Sequence, residues 1–138
     1  MAFLLDTNVV SELRKSTPHP EVLAWQRRNA AAEAYLSVLV IGEIRQGIER
    51  VRPRDARWAE TLDDWFDGLL STYRDRILPV TTEIAQEWGR YNVPPKAPPI
   101  VDGLLAATAK VHRLTLVTRN VGDVAGTGVA VLNPFEPE

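Results

Sequence analysis

FLLDTN, residues 3–8, sets three apolar residues directly before Asp6, Thr7 and Asn8. A short apolar run bounded by polar residues is the pattern of a strand covered on both faces. The next residues, 7–14, carry Val9, Val10 and Leu13 at helical spacing, so a helix is expected to start where the strand stops. Asp6 then stands at a strand's carboxyl end, the edge of an open α/β sheet where ligands collect. An aspartate there is equally suited to cap the helix and to stabilise its positive end. Both readings stay open on this stretch alone.

The same alternation continues outward. PEVLAWQRRNAAAEA (20–34) reads as a second helix opened by proline, and AYLS (34–37) as a second strand. In VLVIGEIRQGIERV (38–51), Leu39, Val40, Ile44, Ile48 and Val51 recur at helical spacing, and Pro53 ends the segment. A long helix is expected over 54–73, with an apolar stripe from Trp58 to Tyr73. RILPV (76–80) is a third strand and 82–91 a helix capped by threonine. VPPKAPP (93–99) excludes helix or inner strand and is a loop. A helix over 100–113, a strand over 114–118, a loop over 119–128 and a last strand over 129–134 complete the chain. Short strands alternating with helices imply one α/β domain across residues 1–138, with a central parallel sheet of four to five short strands flanked by helices on both faces.

Composition narrows the chemistry. The 138 residues include no cysteine, which excludes disulfides, thiolate metal sites and a cysteine nucleophile. His19 and His112 lack ligand spacing, so zinc is not expected. A net charge of −2 gives no global attraction to nucleic acid, so any contact with a phosphate chain must come from a local patch or a metal. The arginines at 45, 50, 52, 54 and 57 offer such a patch, or simply a solvated helix face. The start of the chain lacks the basic and apolar regions of a signal peptide, and nothing approaches a membrane span. A cytoplasmic protein without membrane contact is the expectation.

Four acids stand in unusual company. Glu43 lies beside the apolar stripe of its helix, where a carboxylate requires a partner, either an arginine such as Arg45 or Arg50 or a metal. Asp102 follows PPIV and suits a first helical turn, yet Leu105, Ala106 and Ala109 place it on the core-facing stripe. Asp123 sits in RNVGDVAGTG, a loop of turn formers that also follows a strand's carboxyl end. Each has a bland account. Together, Asp6, Glu43, Asp102 and Asp123 lie on four segments, three of them starting at one rim of a parallel sheet. Clustered carboxylates repel, and a hard divalent cation resolves the repulsion. Oxygen-only ligation with retained waters points to Mg²⁺, with Mn²⁺ an acceptable substitute. Such sites hydrolyse phosphodiesters.

Read together, LLDTNVVSEL (4–13), IGEIRQGI (41–48) and DGLLAATAKVHRLTLVTRNVGDVAGTGVAVLNP (102–134) resemble the PIN-domain ribonucleases, and within them the VapC toxins of type II toxin–antitoxin pairs, FitB-like subgroup. The resemblance spans nearly the whole chain in order and spacing. It implies that Asp6 and Asp102 are the principal Mg²⁺ ligands. Glu43 and Asp123 complete the acidic pocket and bind metal directly or through water. It implies that Thr7 and Thr118 orient ligands or water, and that Arg119 and Asn120 position a carboxylate or a phosphate. The implied activity is an endoribonuclease cleaving single-stranded RNA or tRNA with a metal-activated water. The implied partners are a cognate antitoxin and a second copy of the chain. Val124 departs from the family pattern, in which an aromatic often follows the acid. Two other readings share the α/β rim of acids: a receiver-like signalling domain, which would want adjacent acids after the first strand and a late lysine, and a catalytically silent PIN fold that binds RNA or a protein.

Overall fold

The first strand, β1 (Ala2–Leu5), is buried along Phe3, Leu4 and Leu5, as a strand covered on both faces must be. In the computed structural model, which describes residues 1–137, it is the middle strand of a five-stranded sheet of order β3-β2-β1-β4-β5. The others are β2 (Glu33–Ser37), β3 (Ile77–Leu78), β4 (Thr115–Val117) and β5 (Val131–Leu132), and all four pairings are parallel. The expected sheet is therefore observed at its upper strand number.

Six α-helices connect the strands: α1 (Thr7–Arg14), α2 (Pro20–Arg28), α3 (Val38–Val51), α4 (Ala56–Thr72), α5 (Thr82–Tyr91) and α6 (Ile100–His112). The chain steps from β1 to β2 to β3 in one direction, then crosses back over β1 to β4 and β5. Right-handed crossovers place α1–α4 on one face and α5–α6 on the other. Packing agrees: α1 meets α2 and α3, α3 meets α4, and α5 meets α6. The strand order reverses between β1 and β4. That is the topological switch point, where the carboxyl ends of an open sheet leave a crevice. Two backbone bonds carry the ladder up to this rim, from the Asp6 N–H to the Val117 carbonyl (2.9 Å) and from the Thr118 N–H to the Leu132 carbonyl (3.0 Å).

Several boundaries differ from the sequence expectation. The second helix stops at Arg28, because Asn29 caps it, its side-chain amide donating to the Trp25 carbonyl at 2.8 Å. The alanines beyond it lead into β2 instead of prolonging the helix. The long fourth helix begins at Ala56, where Asp55 accepts from the Trp58 N–H at 3.0 Å. A 3₁₀ turn, Arg74–Arg76, takes the start of the expected third strand and leaves only Ile77–Leu78. The expected loop at 119–128 contains a 3₁₀ helix, Val121–Thr127, held by the burial of Val124 and Thr127. So Val124 packs into the core in place of the larger aromatic.

The end of α6 is made by Arg113 in the left-handed region (φ 58°). A residue with a Cβ is strained there by roughly 1–2 kcal/mol, and glycine is not. Arg113→Gly is expected to raise stability by up to about 1 kcal/mol, read as a higher denaturant midpoint at an unchanged slope.

Candidate carboxylate site at the sheet crevice

Asp6 ends β1 and is only 5% exposed. One carboxylate oxygen, Oδ1, accepts the Thr7 N–H at 2.7 Å. The other, Oδ2, accepts the Thr118 hydroxyl at 2.7 Å and the Asn8 side-chain amide at 3.3 Å. Burial pushes its pKa up, against these bonds, which favour the charged form. Capping is thus real for Asp6, but it occupies one oxygen. The second is turned across the crevice to β4, which a cap alone does not need.

Thr118 is buried at the end of β4 and serves both sides of the switch point. Its hydroxyl donates to Asp6 and accepts the Asn120 N–H at 3.0 Å. Asn8 closes the ring, its amide nitrogen 3.4 Å from the Thr118 Oγ1 and its Oδ1 accepting the Arg119 N–H at 3.2 Å. Sequence reasoning passed over Asn8. The signal available was its place two residues after a rim aspartate, where a short amide reaches the neighbouring loop. Thr118→Val keeps the shape and removes the hydroxyl. It is expected to cost about 1–3 kcal/mol, because the buried Asp6 oxygen and the Asn120 N–H lose a partner. Chemical denaturation of the metal-free protein reads this directly.

Glu43 stands one turn into α3 and accepts the Thr7 hydroxyl at 2.6 Å. The arginine pairing offered for it is not the one formed. Arg45 instead meets Asp63 at 2.9 Å and Glu49 at 3.2 Å, and Arg52 bonds the same two acids. Those two arginines belong to a surface network between α3 and α4.

Asp102 lies in the first turn of α6, partly buried. Its side chain makes no hydrogen bond or ion pair among the described residues. Its pKa is pushed up to about 6, first by burial and then by the charges of Asp6, Asp123 and Glu43. A helix N-terminus alone would pull a carboxylate the other way, so burial and three neighbouring acids overcome it. Asp123 stands on the exposed side of the 3₁₀ helix, its N–H donating to the Asn120 carbonyl at 3.1 Å. Its charge acts on both Asp6 and Asp102. The structure thus brings all four acids to one crevice. Arg119 and Asn120 enter it through their backbone. The Arg119 guanidinium lies 4.3 Å from the Phe135 ring centroid, and Asn120 engages Thr118 and Asp123 by its N–H and carbonyl.

The acid-bearing segments are braced from outside. The Tyr91 hydroxyl on α5 donates to the Gly103 carbonyl at 2.9 Å, next to Asp102. Gly103 permits this approach, since a Cβ there would lie 2.6 Å from the Asn92 Oδ1. Lys110 of α6 donates to the Thr127 carbonyl at 2.8 Å and pairs with Glu87 of α5 at 3.0 Å, tying down the 3₁₀ helix that carries Asp123.

The donor chemistry fits a hard cation: every candidate ligand is a carboxylate oxygen, and the mutual repulsion at Asp102 is what a divalent charge would relieve. Among the described residues no three acid or histidine side chains are gathered into a ready-made coordination shell. A Mg²⁺ ion would keep several waters and take only one or two carboxylates directly. Asp6, buried, and Asp102, partly buried and without a hydrogen-bond partner among the described residues, are the pair suited to that contact.

The sequence profile described as the PIN domain matches residues 3–122. Toxin FitB of Neisseria gonorrhoeae is 32% identical over 137 residues, covering 96% of this chain and 97% of that protein. The VapC ribonuclease Y4jK of Sinorhizobium fredii is 30% identical over 138 residues, covering 97% and 98%. The crystal structure of FitAcB from Neisseria gonorrhoeae superposes with a TM-score of 0.88 at 32% identity, covering 98% of this chain and 99% of that one.

Proposed function

The chain belongs to the PIN-domain family, and from that premise we propose that it is a Mg²⁺-dependent endoribonuclease, the toxin of a toxin–antitoxin pair, cleaving single-stranded RNA or tRNA. The observation that carries this reading is the placement of buried Asp6 at the β1/β4 crevice, its Oδ2 turned across to the Thr118 hydroxyl at 2.7 Å, with Asp102, Asp123 and Glu43 near enough for their charges to act on one another. A fold kept only for binding has no need to set acids beside Asp102, whose raised pKa makes its charge a cost to folding without metal.

In this reading Asp6 and Asp102 hold the cation directly, and Glu43 and Asp123 act on it directly or through water. When bound, a divalent ion would neutralise phosphoryl charge and lower the pKa of a water. The residues of the chain do the rest. Thr118 and Asn8 hold the Asp6 oxygen that faces the crevice, and Thr7 fixes the carboxylate of Glu43. Such outer partners are typically worth 10–100-fold in metal affinity or activity.

The relatives named as a toxin and a VapC ribonuclease support the biological setting: a cytoplasmic toxin, held by a cognate antitoxin and assembling as a homodimer or as a hetero-oligomer with that antitoxin. No helix among the described residues is long and apolar enough to cross a membrane. The direct test is incubation of the purified, antitoxin-free protein with a mixed pool of single-stranded RNA and tRNA. Cleavage is expected with Mg²⁺ or Mn²⁺, lost in EDTA and recovered when the metal is returned in excess. Cleavage indifferent to EDTA would refute the metal-dependent reading.

A further inference from the structure

Beside the carboxylates is a cavity of 240 Å³ between the loop at 93–99 and the 3₁₀ helix Val121–Thr127, lined by Tyr91, Lys96, Pro99, Gly122, Asp123 and Gly126 among others. Asp123 belongs to both places: its charge acts on Asp6 and Asp102, and it lines this cavity. The volume falls below the roughly 300–1,000 Å³ of pockets for drug-sized ligands. It suits one small polar unit.

The two glycines are the first clue to what that unit is. Neither Gly122 nor Gly126 has the positive φ that demands glycine, and a Cβ on either would meet nothing within 4 Å. Backbone and packing therefore give no reason for glycine, which costs a helical segment about 1 kcal/mol against alanine. Gly42, Gly47, Gly68 and Gly89 are equally open, but of these six only Gly122 and Gly126 line this cavity, where bare backbone allows close approach of a ligand.

Lys96 is the second. It is the only cation lining the cavity, it is exposed, and it makes no hydrogen bond or ion pair among the described residues. Prolines at 94, 95, 98 and 99 surround it and limit the backbone freedom lost when it binds.

The walls are already fixed. The Tyr91 hydroxyl is bonded to the Gly103 carbonyl, and Lys110 holds the Thr127 carbonyl behind the glycines. A cavity with bare backbone, an aromatic wall and one unpaired cation next to a phosphodiester-cleaving centre matches a nucleotide of a single strand, its phosphate on the lysine.

We propose that this cavity is the subsite for the nucleotide next to the scissile phosphate of single-stranded RNA, with Lys96 contacting its phosphate and the Gly122–Gly126 backbone admitting its sugar or base. The inference rests on the ribonuclease reading above and adds the residues that seat the strand.

Binding of a labelled single-stranded oligoribonucleotide is measured in an Asp6→Asn background, so that the strand is not consumed, between about 50 and 200 mM salt. Removing one phosphate contact to a single strand should reduce the slope of log affinity against log salt by about 0.7. Lys96→Ala is expected to show that reduction with up to about fivefold weaker binding at low salt, and Lys96→Arg to restore both. Gly126→Val, whose Cβ has open space, should fold normally, weaken binding and leave the slope unchanged. In the cleaving protein both Lys96→Ala and Gly126→Val should raise KM with little change in kcat. An unchanged slope in Lys96→Ala overturns the subsite, even if the parent cleaves RNA efficiently. A parent that binds the strand with the predicted slope change but cleaves nothing overturns the ribonuclease reading, and with it the assignment to a scissile phosphate, and leaves Lys96 only as a phosphate contact to a bound strand.

Discussion

Asp6→Asn is expected to lower metal-dependent RNA cleavage by about a thousandfold or more while the protein stays folded. The loss follows from charge. An asparagine keeps the shape and one carbonyl oxygen, so its Oδ1 can still accept the Thr7 N–H and α1 keeps its cap. The amide group that replaces the second oxygen cannot accept the Thr118 hydroxyl, yet that hydroxyl can rotate and accept from it instead. What disappears is the negative charge at the switch point. Metal ions contribute several kcal/mol of transition-state charge stabilisation, and each 1.36 kcal/mol is a factor of ten. Single-turnover cleavage of RNA by wild type and variant, with circular dichroism to confirm folding, measures the effect. If Asp6 were only a helix cap, the variant would keep most of its activity.

Asp102→Asn should remove activity to a similar extent and at the same time stabilise the metal-free protein. The sign follows from the raised pKa. Asp102 stands at about 6 in the folded chain, against an ordinary value of 3.8, because of burial and the three neighbouring acids. Below about pH 4 the carboxyl is protonated in both states and has no effect. Between about pH 4 and 6 the unfolded chain releases the proton and the folded chain retains it, so stability falls as pH rises. Above pH 6 the full penalty persists. Taken whole, a shift of two units is about 3 kcal/mol. For a group this open to solvent, screening reduces the effect to roughly 1 kcal/mol. Asparagine carries no charge at any pH and escapes it. Thermal melts in EDTA should therefore show Asp102→Asn more stable than wild type above pH 6, with the difference gone near pH 4. Mg²⁺ should raise the melting temperature of wild type and not of the variant, since only a protein that binds ligand gains from mass action. A variant less stable than wild type at pH 7.5 in EDTA would mean that Asp102 serves the fold as a first-turn acid. Asp123→Asn, on the exposed side of the 3₁₀ helix, should leave more activity than either.

Much of this arrangement is legible in the chain because periodicity and position carry it. The run Phe3–Leu5 ending on Asp6 is enough to place an acid at a strand's carboxyl end, and the alternation of strands and helices is enough for a parallel sheet. The strand order is not legible, because nothing local says that the chain crosses back over β1 before laying down β4. That crossing is what puts Thr118 within 2.7 Å of Asp6, 112 residues away in the chain. Asn8 was missed for the same reason, since its partners are on β4's loop. The partner of Glu43 is hidden in the same way: spacing along α3 points to arginines on its own helix, whereas Thr7 comes from another element. The 3₁₀ helix at 121–127 read as a loop because Gly122, Asp123 and Gly126 are turn formers. Burial of Val124 and the Lys110 bond to Thr127 give it order that local preference does not.

Titration of Mn²⁺ into the metal-free protein, followed by the loss of its free-ion paramagnetic resonance signal, tests most directly whether these carboxylates form a metal site. Wild type should take up the ion, Asp6→Asn and Asp102→Asn should take up far less, and Mg²⁺ should compete. Uptake by Asp6→Asn equal to that of wild type, or none by wild type, would contradict the account.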